Sequence, residues 1–424
     1  MNNKAVPSAL KFVNMKGIVA LKEGILFTLP LLMVGSIFLL ISSFPYQPVV
    51  DLINNLGWME AFNQVSGATF NISAIVAVVG IAYSYAKNEN VEPLSAGFLG
   101  FVCFLITLRS NVESESGDIV SNIINKTWTA GQGMIGAIII GLIVGYVYSL
   151  FINKGITIKM PDSVPSNVSS SFAALVPGAV LIAGSAIIFQ IFNSFDITFI
   201  EFIYKAIQAP MQGVTDSLFG IILYCTIATI FWWFGVHGGS IVTGIMGPLL
   251  LSNLTANQAI VDSGQALTVS NGAYIVTDQF TAIFINLTGT GTTLGLVIFM
   301  AFLAKSKQLK ELGKLSFIPS IFNINEPVIF GTPIVMNPFL FIPFVLTPTV
   351  VGILMYGSIY FGLVPPFSGV TVPWTTPAII SGFLLGGWRM ALAQVVILGI
   401  SCVMYFPFIR KVDKMNLIAE AEAE

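Results

Sequence analysis

The chain has 424 residues, 55% of them hydrophobic and only 9% charged, with a net charge of -2. No soluble domain of that length has such a composition; the net charge says little about partners, and nucleic acid is not expected among them. Charge-free runs cover 24–50, 61–86, 127–153, 163–195, 217–261, 279–304 and 327–388, counting His237 neutral. A helix crosses a bilayer with about 20 apolar residues, so the longest runs hold more than one crossing. The sequence predicts an all-α polytopic membrane protein with about ten transmembrane helices, amphipathic helices and re-entrant hairpin elements.

In chain order, Val6 to Ala20 is short and interrupted by lysines, and it predicts an amphipathic helix lying on the cytoplasmic face, not a cleaved signal. Crossings follow near 24–43, 66–86, 93–109, 130–153 and 171–194, with an acidic and polar loop at 110–128. In Asp196–Gln212 the residues Phe199, Ile200, Ile203, Tyr204 and Ile207 recur at helical spacing. That segment is an amphipathic linker, which divides the chain into 1–195, a linker at 196–213, and 214–424. The second half has clear crossings near 214–235, 280–304, 334–362 and 379–409. Gly238–Leu251 and Phe317–Gly331 are short and broken by glycine or proline. If the first crosses and the second is a re-entrant hairpin, the count reaches ten.

Lysines cluster at 4, 11, 16 and 22, at 305, 307, 310 and 314, and basic residues again at 410, 411 and 414. The positive-inside rule places all three clusters, and both termini, in the cytoplasm. Cys103, Cys225 and Cys402 lie in apolar segments without metal or redox spacing and read as inert thiols.

Between Glu311 and Asp413 the only acid is Glu326, followed by 62 residues with no charge until Arg389. A carboxylate at that depth costs several kcal/mol unless it has a partner or a task. Asn325-Glu326-Pro327 is a helix-breaking spot whose amide and carboxylate match sugar hydroxyls, and its single strong anionic ligand suits no metal. The alternative is a protonated carboxyl that holds helix ends together through Asn323 and Asn325. His237, the only histidine, sits in Trp232-Trp233-Phe234-Gly235-Val236-His237-Gly238. It reads either as a core imidazole or as a ligand group, with glycines allowing close approach. Trp374 lies in a proline-bounded polar break, either as an interfacial anchor or as a platform for the apolar face of a sugar. The Gly- and Thr-rich run Asn286–Thr293 lacks the GK[ST] ending of a phosphate loop and predicts close helix packing. No cofactor motif appears.

These segments resemble the membrane-embedded IIC component of bacterial sugar phosphotransferase systems, of the lactose/cellobiose/diacetylchitobiose family. The resemblance rests on Met160–Val168, Gly235–Gly238, Asn323–Gly331 and Pro373–Pro377 and covers essentially the whole chain. It implies a multi-pass protein of the bacterial plasma membrane that forms a homodimer through its first half and carries a β-linked disaccharide in its second. The sugar's 6-hydroxyl would be phosphorylated by a phosphocysteine on a separate IIB protein, itself charged through IIA. The implied sugar-binding residues are His237, Glu326, Asn325, Trp374, Gly238 and Trp232, for which Trp233 competes. Glu326 and His237 are the implied catalytic pair. The competing reading is a proton-coupled secondary sugar transporter with Glu326 and His237 as relay.

Overall fold

A computed structural model describes residues 15–42, 47–113, 119–161, 164–235, 238–332 and 334–423. Most of the expected Val6–Ala20 amphipathic helix lies outside the described residues, as does His237. Among the described residues, six helices are long and apolar enough to cross a bilayer: Lys16–Leu39, Met59–Asn88, Gly131–Asn153, Val168–Asn193, Pro338–Tyr360 and Ile380–Glu422. Phe199–Thr215 and Leu218–Trp233 pass together as one bent span, and Pro93–Ile106 and Leu294–Leu303 are apolar but short. Gly238–Asp262 adds a 25-residue helix with Pro248 inside it. The chain is therefore polytopic, and its described residues are all-α apart from one antiparallel hairpin, Asn111–Glu113 with Ile119–Ser121.

The chain separates into two compact units, one of residues up to 38 and 60–212, the other of 39–59 and 213–424. In the first unit, Ser73–Asn88, Pro93–Ile106 and Met134–Asn153 pack through small residues. Ala74, Ala82, Ala96 and Ala137 are buried in its core beside Phe104 and Tyr148. A Cβ added at Gly145 would lie 2.5 Å from the Cβ of Tyr85, so only glycine permits that approach. Asp196–Gln212 packs into this unit. Thr198 and Glu201 close a capping box at its start. The fully buried Gln208 amide donates to the Gly131 carbonyl at 2.8 Å, and its oxygen accepts the Ile135 N–H at 3.2 Å.

The second unit is less regular. Its crossing around 280–303 is helical at both ends, Phe280–Ile285 and Leu294–Leu303, and opens between them. Lys307–Ile321 and Glu326–Gly331 form a helical hairpin with a turn at Phe322–Asn325. After Tyr360 the chain runs without regular structure to the last helix, which is itself broken at Gly386 and Gly387. Gly238–Asp262 extends eleven residues beyond the expected Leu251 boundary. The added part carries Asn253, Asn257 and Gln258, whose polarity hides a helix from a hydropathy reading and whose amides are buried and bonded.

Candidate functional site

The Lys307–Ile321 helix ends in a Schellman turn. Asn323 takes the left-handed conformation (φ 63°), its N–H donates to Ser320 O at 3.2 Å, and the Ile324 N–H reaches back to Pro319 O at 3.0 Å. Asparagine tolerates that backbone better than other non-glycine residues. Two residues on, Asn325 starts the next helix, its carbonyl accepting from Val328 and Ile329, each at 3.0 Å. Pro327 stands at a position where its missing N–H costs nothing. This puts Glu326 on the first turn after the break with an exposed side chain. Among the described residues, Glu326 makes no hydrogen bond or ion pair.

The two asparagines of the turn join it to two other breaks. Asn323 Oδ1 accepts the Thr288 N–H at 2.6 Å, while its Nδ2 donates to the carbonyls of Trp374 (2.5 Å) and Thr376 (3.1 Å). Asn325 Nδ2 donates to Thr290 O at 2.7 Å and to Thr293 Oγ1 at 2.9 Å. Both amide hydrogens of Asn325 are thus committed, and the residue is 4% exposed.

The run 286–293 is not a packed stretch of helix, as its small residues predict, but a loop inserted in the crossing. Thr288, Gly289, Gly291 and Thr292 all have positive φ. At Gly289 a Cβ would overlap the Asn325 carboxamide, so the glycine is needed for space as well as for φ. The last helix holds the loop from behind: Tyr405 Oη donates to Gly291 O at 2.7 Å, and Ser401 Oγ bonds Thr292 O and Gly295 N. The small residues do pack closely, as at Gly289 and Gly291, but as a loop and not as helix, because glycine and threonine supply turn conformations equally well.

Trp374 lies on the third break. The stretch 364–379 has no regular hydrogen bonding, which a membrane protein tolerates only where other protein groups satisfy the backbone. Here a series of carboxamides does so. Asn257 donates to Phe367 O at 2.8 Å, and Gln258 accepts from Gly369 N at 2.8 Å. Gln279 accepts from Val372 N at 3.1 Å, Asn323 serves Trp374 and Thr376, and Gln394 accepts from Ile379 N at 2.6 Å. The Trp374 backbone is fixed, yet its side chain is 56% exposed.

Trp232 packs on the returning arm of the hairpin, and Trp233 on the start of the Pro338–Tyr360 helix. Trp232 is 4% exposed and meets Phe330 edge-on, centroids 6.2 Å apart. Trp233 Nε1 donates to Asn337 O at 3.1 Å, and its ring lies 4.9 Å from that of Phe341. Gly238 is buried where a Cβ would strike the Ala228 carbonyl, so its glycine serves helix contact. The structure therefore ties the Trp374 backbone, through Asn323, to the turn that carries Asn325 and Glu326, and gives Trp232, Trp233 and Gly238 packing contacts. Asn323 reads from sequence as a helix-end tie and Thr288 and Gly289 as helix packing, whereas Ser401, Tyr405 and the other carboxamides, Asn257, Gln258, Gln279 and Gln394, have no assigned role there. Their one signal was polar side chains recurring inside apolar runs. Among the described residues no cluster of His, Cys, Asp and Glu has the makings of a metal site. The three thiols are unpaired, two of them buried.

A polytopic helical chain whose exposed carboxylate and indole stand on backbone breaks tied together by carboxamides has the build of a membrane transporter with a polar site at depth. The family model for the phosphotransferase system EIIC matches residues 22–348. The chain is 36% identical to the PTS system cellobiose-specific EIIC component of Geobacillus stearothermophilus, over 100% of this chain and 96% of that one. It is also 36% identical to the lichenan permease IIC component of Bacillus subtilis (strain 168), over 100% and 95%. Its fold matches the solved structure of the transporter ChbC, the IIC component from the N,N'-diacetylchitobiose-specific phosphotransferase system. The TM-score is 0.93 at 36% identity, covering 99% of each chain. The chain belongs to the EIIC family of phosphotransferase-system sugar transporters.

Proposed function

We propose that this chain binds a β-linked disaccharide of the cellobiose or diacetylchitobiose kind, moves it inward, and presents its 6-hydroxyl to a phosphocysteine on a separate IIB protein. The observation that carries the reading is the pair of exposed side chains, Glu326 and Trp374, on breaks joined through Asn323. The names of the relatives support the choice of sugar. An exposed indole on a fixed backbone offers a flat apolar face to a pyranose ring, and a carboxylate offers acceptors to its hydroxyls. Asn325, with its amide hydrogens committed, contributes its oxygen to the same end.

In the transfer step the sugar's 6-oxygen attacks phosphorus, the phosphorus–sulfur bond of the donor breaks, and Glu326 takes the hydroxyl proton as general base. His237 steadies the sugar or the developing charge. The product is anionic and does not return across the bilayer. The protein works as a homodimer with 1–195 at the dimer contact and 214–424 carrying the sugar, both termini being cytoplasmic.

The test is phosphorylation in membrane vesicles supplied with IIA, IIB and a phosphate donor. Glu326→Gln is expected to bind disaccharide yet lose phosphorylation by a factor of about 10² or more, the usual contribution of a positioned base. Unchanged phosphorylation would remove the base assignment. Uptake without IIB that an uncoupler abolishes would replace the whole reading by proton-coupled transport through Glu326 and His237.

A further inference from the structure

The Pro338–Tyr360 helix has 23 residues and is about 34 Å long at 1.5 Å per residue, enough to span the hydrocarbon layer. At one end Phe339 lies under Lys411, whose Nζ is 4.6 Å from the ring centroid. At the other end, Tyr360–Gly362 opens onto a cavity of about 760 Å³, also lined by Thr268, Ser270, Trp388 and Arg389. This cavity contains none of Glu326, Asn325 and Trp374. Its wall is shaped by the break in the last helix, where Gly387 adopts φ 74° and ψ -160°, a conformation open to glycine.

Arg389 is the only charged residue lining the cavity. It ends the 62-residue stretch without charge, and among the described residues it forms no ion pair. Its guanidinium lies 5.7 Å from the centroid of the Trp388 ring, which holds it at the mouth. Of the residues that line it, Tyr360, Phe361, Phe383 and Trp388 are exposed. An uncompensated guanidinium next to exposed aromatic side chains, at the boundary of the hydrocarbon layer, asks for one kind of ligand. It must bring an anion with the bidentate geometry of phosphate and apolar chains to cover the collar.

We infer that this cavity is a binding site for an anionic phospholipid, with the headgroup phosphodiester on Arg389 and the acyl chains against Tyr360, Phe361 and Phe383. A free phosphate ion would gain a single cation and leave the collar bare, and a neutral sugar would leave the cation unused.

The full chain in detergent is titrated with dioleoylphosphatidylglycerol and with dioleoylphosphatidylcholine, and bound lipid is counted by native mass spectrometry. Phosphatidylglycerol is expected to bind at about tenfold lower concentration, the worth of one charge-assisted hydrogen-bonded contact, and Arg389→Gln to abolish the difference. Ser270→Glu, on the exposed loop across the cavity, should do the same by neutralising Arg389, and so serves if the arginine variant fails to fold. Lys307→Gln with Lys310→Gln should leave the preference intact. The assignment is overturned if wild type binds both lipids alike or if Arg389→Gln retains the preference. Loss of the preference on removing the two lysines overturns it too. So does displacement of the lipid by millimolar inorganic phosphate, or by cellobiose, which would make the cavity a free-anion or sugar site.

Discussion

The Asn323 side-chain amide donates to the main-chain carbonyl of Trp374, 51 residues away, at 2.5 Å, and the same carboxamide accepts from Thr288 N at 2.6 Å. One side chain thereby fixes the position of the exposed indole relative to the turn that carries Glu326. Sugar recognition at a pair of groups depends on such spacing, because a misplacement of about 1 Å costs orders of magnitude in rate.

Replacing Asn323 tests that coupling. Asn323→Ala leaves the Trp374 and Thr376 carbonyls and the Thr288 N–H without their bonds, at about 1–3 kcal/mol for each group that stays buried. The variant should lose at least tenfold in disaccharide affinity, measured by intrinsic tryptophan fluorescence or calorimetry, although it touches neither Trp374 nor Glu326. Asn323→Asp keeps only the acceptor function and sets a carboxylate against two carbonyls, so it should bind no better than the alanine variant. Wild-type affinity in either would show that the indole is placed by other means.

A pair of glycines separates backbone need from helix propensity. Gly289 has φ 91° and no room for a Cβ beside Asn325, whereas nothing lies within 4 Å of a Cβ added at Gly399. Gly289→Ala should therefore destabilise the protein by about 1–3 kcal/mol through backbone strain alone and abolish sugar binding by displacing Asn325. Gly399→Ala should be neutral or stabilising by roughly 0.5–1 kcal/mol, the helix gain over glycine. Thermal unfolding in detergent, read with and without disaccharide, distinguishes the two.

How far the sequence shows this architecture depends on the kind of residue. Runs of apolar residues reveal crossings because lipid imposes one rule on all of them, and Glu326 reveals itself because a lone acid in such a run has few explanations. The loop at 286–293 is concealed, since Gly and Thr are equally the residues of tight helix contact and of positive-φ turns. The second half of Gly238–Asp262 is concealed for the opposite reason. Asn257 and Gln258 look like the end of a span, but they are buried because the irregular stretch after Tyr360 needs their amides. Such pairings between positions about 110 residues apart leave no local pattern. The sequence likewise leaves Trp232 and Trp233 competing, and only their partners separate them: Phe330 sets Trp232 against the hairpin, and Asn337 sets Trp233 against the start of the Pro338–Tyr360 helix.

That difference between tryptophans is measurable. Trp374→Ala removes an exposed ring whose backbone is held by Asn323, so folding stability should change by less than about 0.5 kcal/mol. Disaccharide affinity should fall by about tenfold, near the upper end of what one aromatic face contributes. Trp233→Ala should do the reverse in its main effect, lowering the unfolding temperature by several degrees through loss of the Asn337 bond and the Phe341 contact. A Trp374→Ala protein with full affinity would dismiss the stacking role.

The last helix continues past the bilayer. From Trp388, the 22 residues to Ile409 already cover about 33 Å, so Arg410 onward lies beyond the hydrocarbon, and this extension grips the start of the glutamate-bearing hairpin. Asp413 accepts from Lys305 N and Ser306 N at 3.0 and 2.9 Å. Glu420 accepts from Ser306 Oγ at 2.7 Å, Gln308 N at 3.0 Å and Lys307 N at 3.1 Å. The Gln308 N–H first, and then the Ser306 hydroxyl, hold the Glu420 carboxyl below the ordinary carboxylate value. A carboxyl whose pKa is depressed by folding stabilises the folded contact above its unfolded value and loses that contribution as pH falls through the folded one. The Glu420 contacts should therefore be complete at neutral pH and be lost only as pH falls below the ordinary carboxylate value. Hydrogen exchange of the Lys307 and Gln308 amides, corrected for intrinsic rates between pH 3 and 6, should show protection lost on acidification. Glu420→Gln should give weak protection throughout, with no transition. A glutamine variant that reproduces the wild-type pH profile would assign the release to another group.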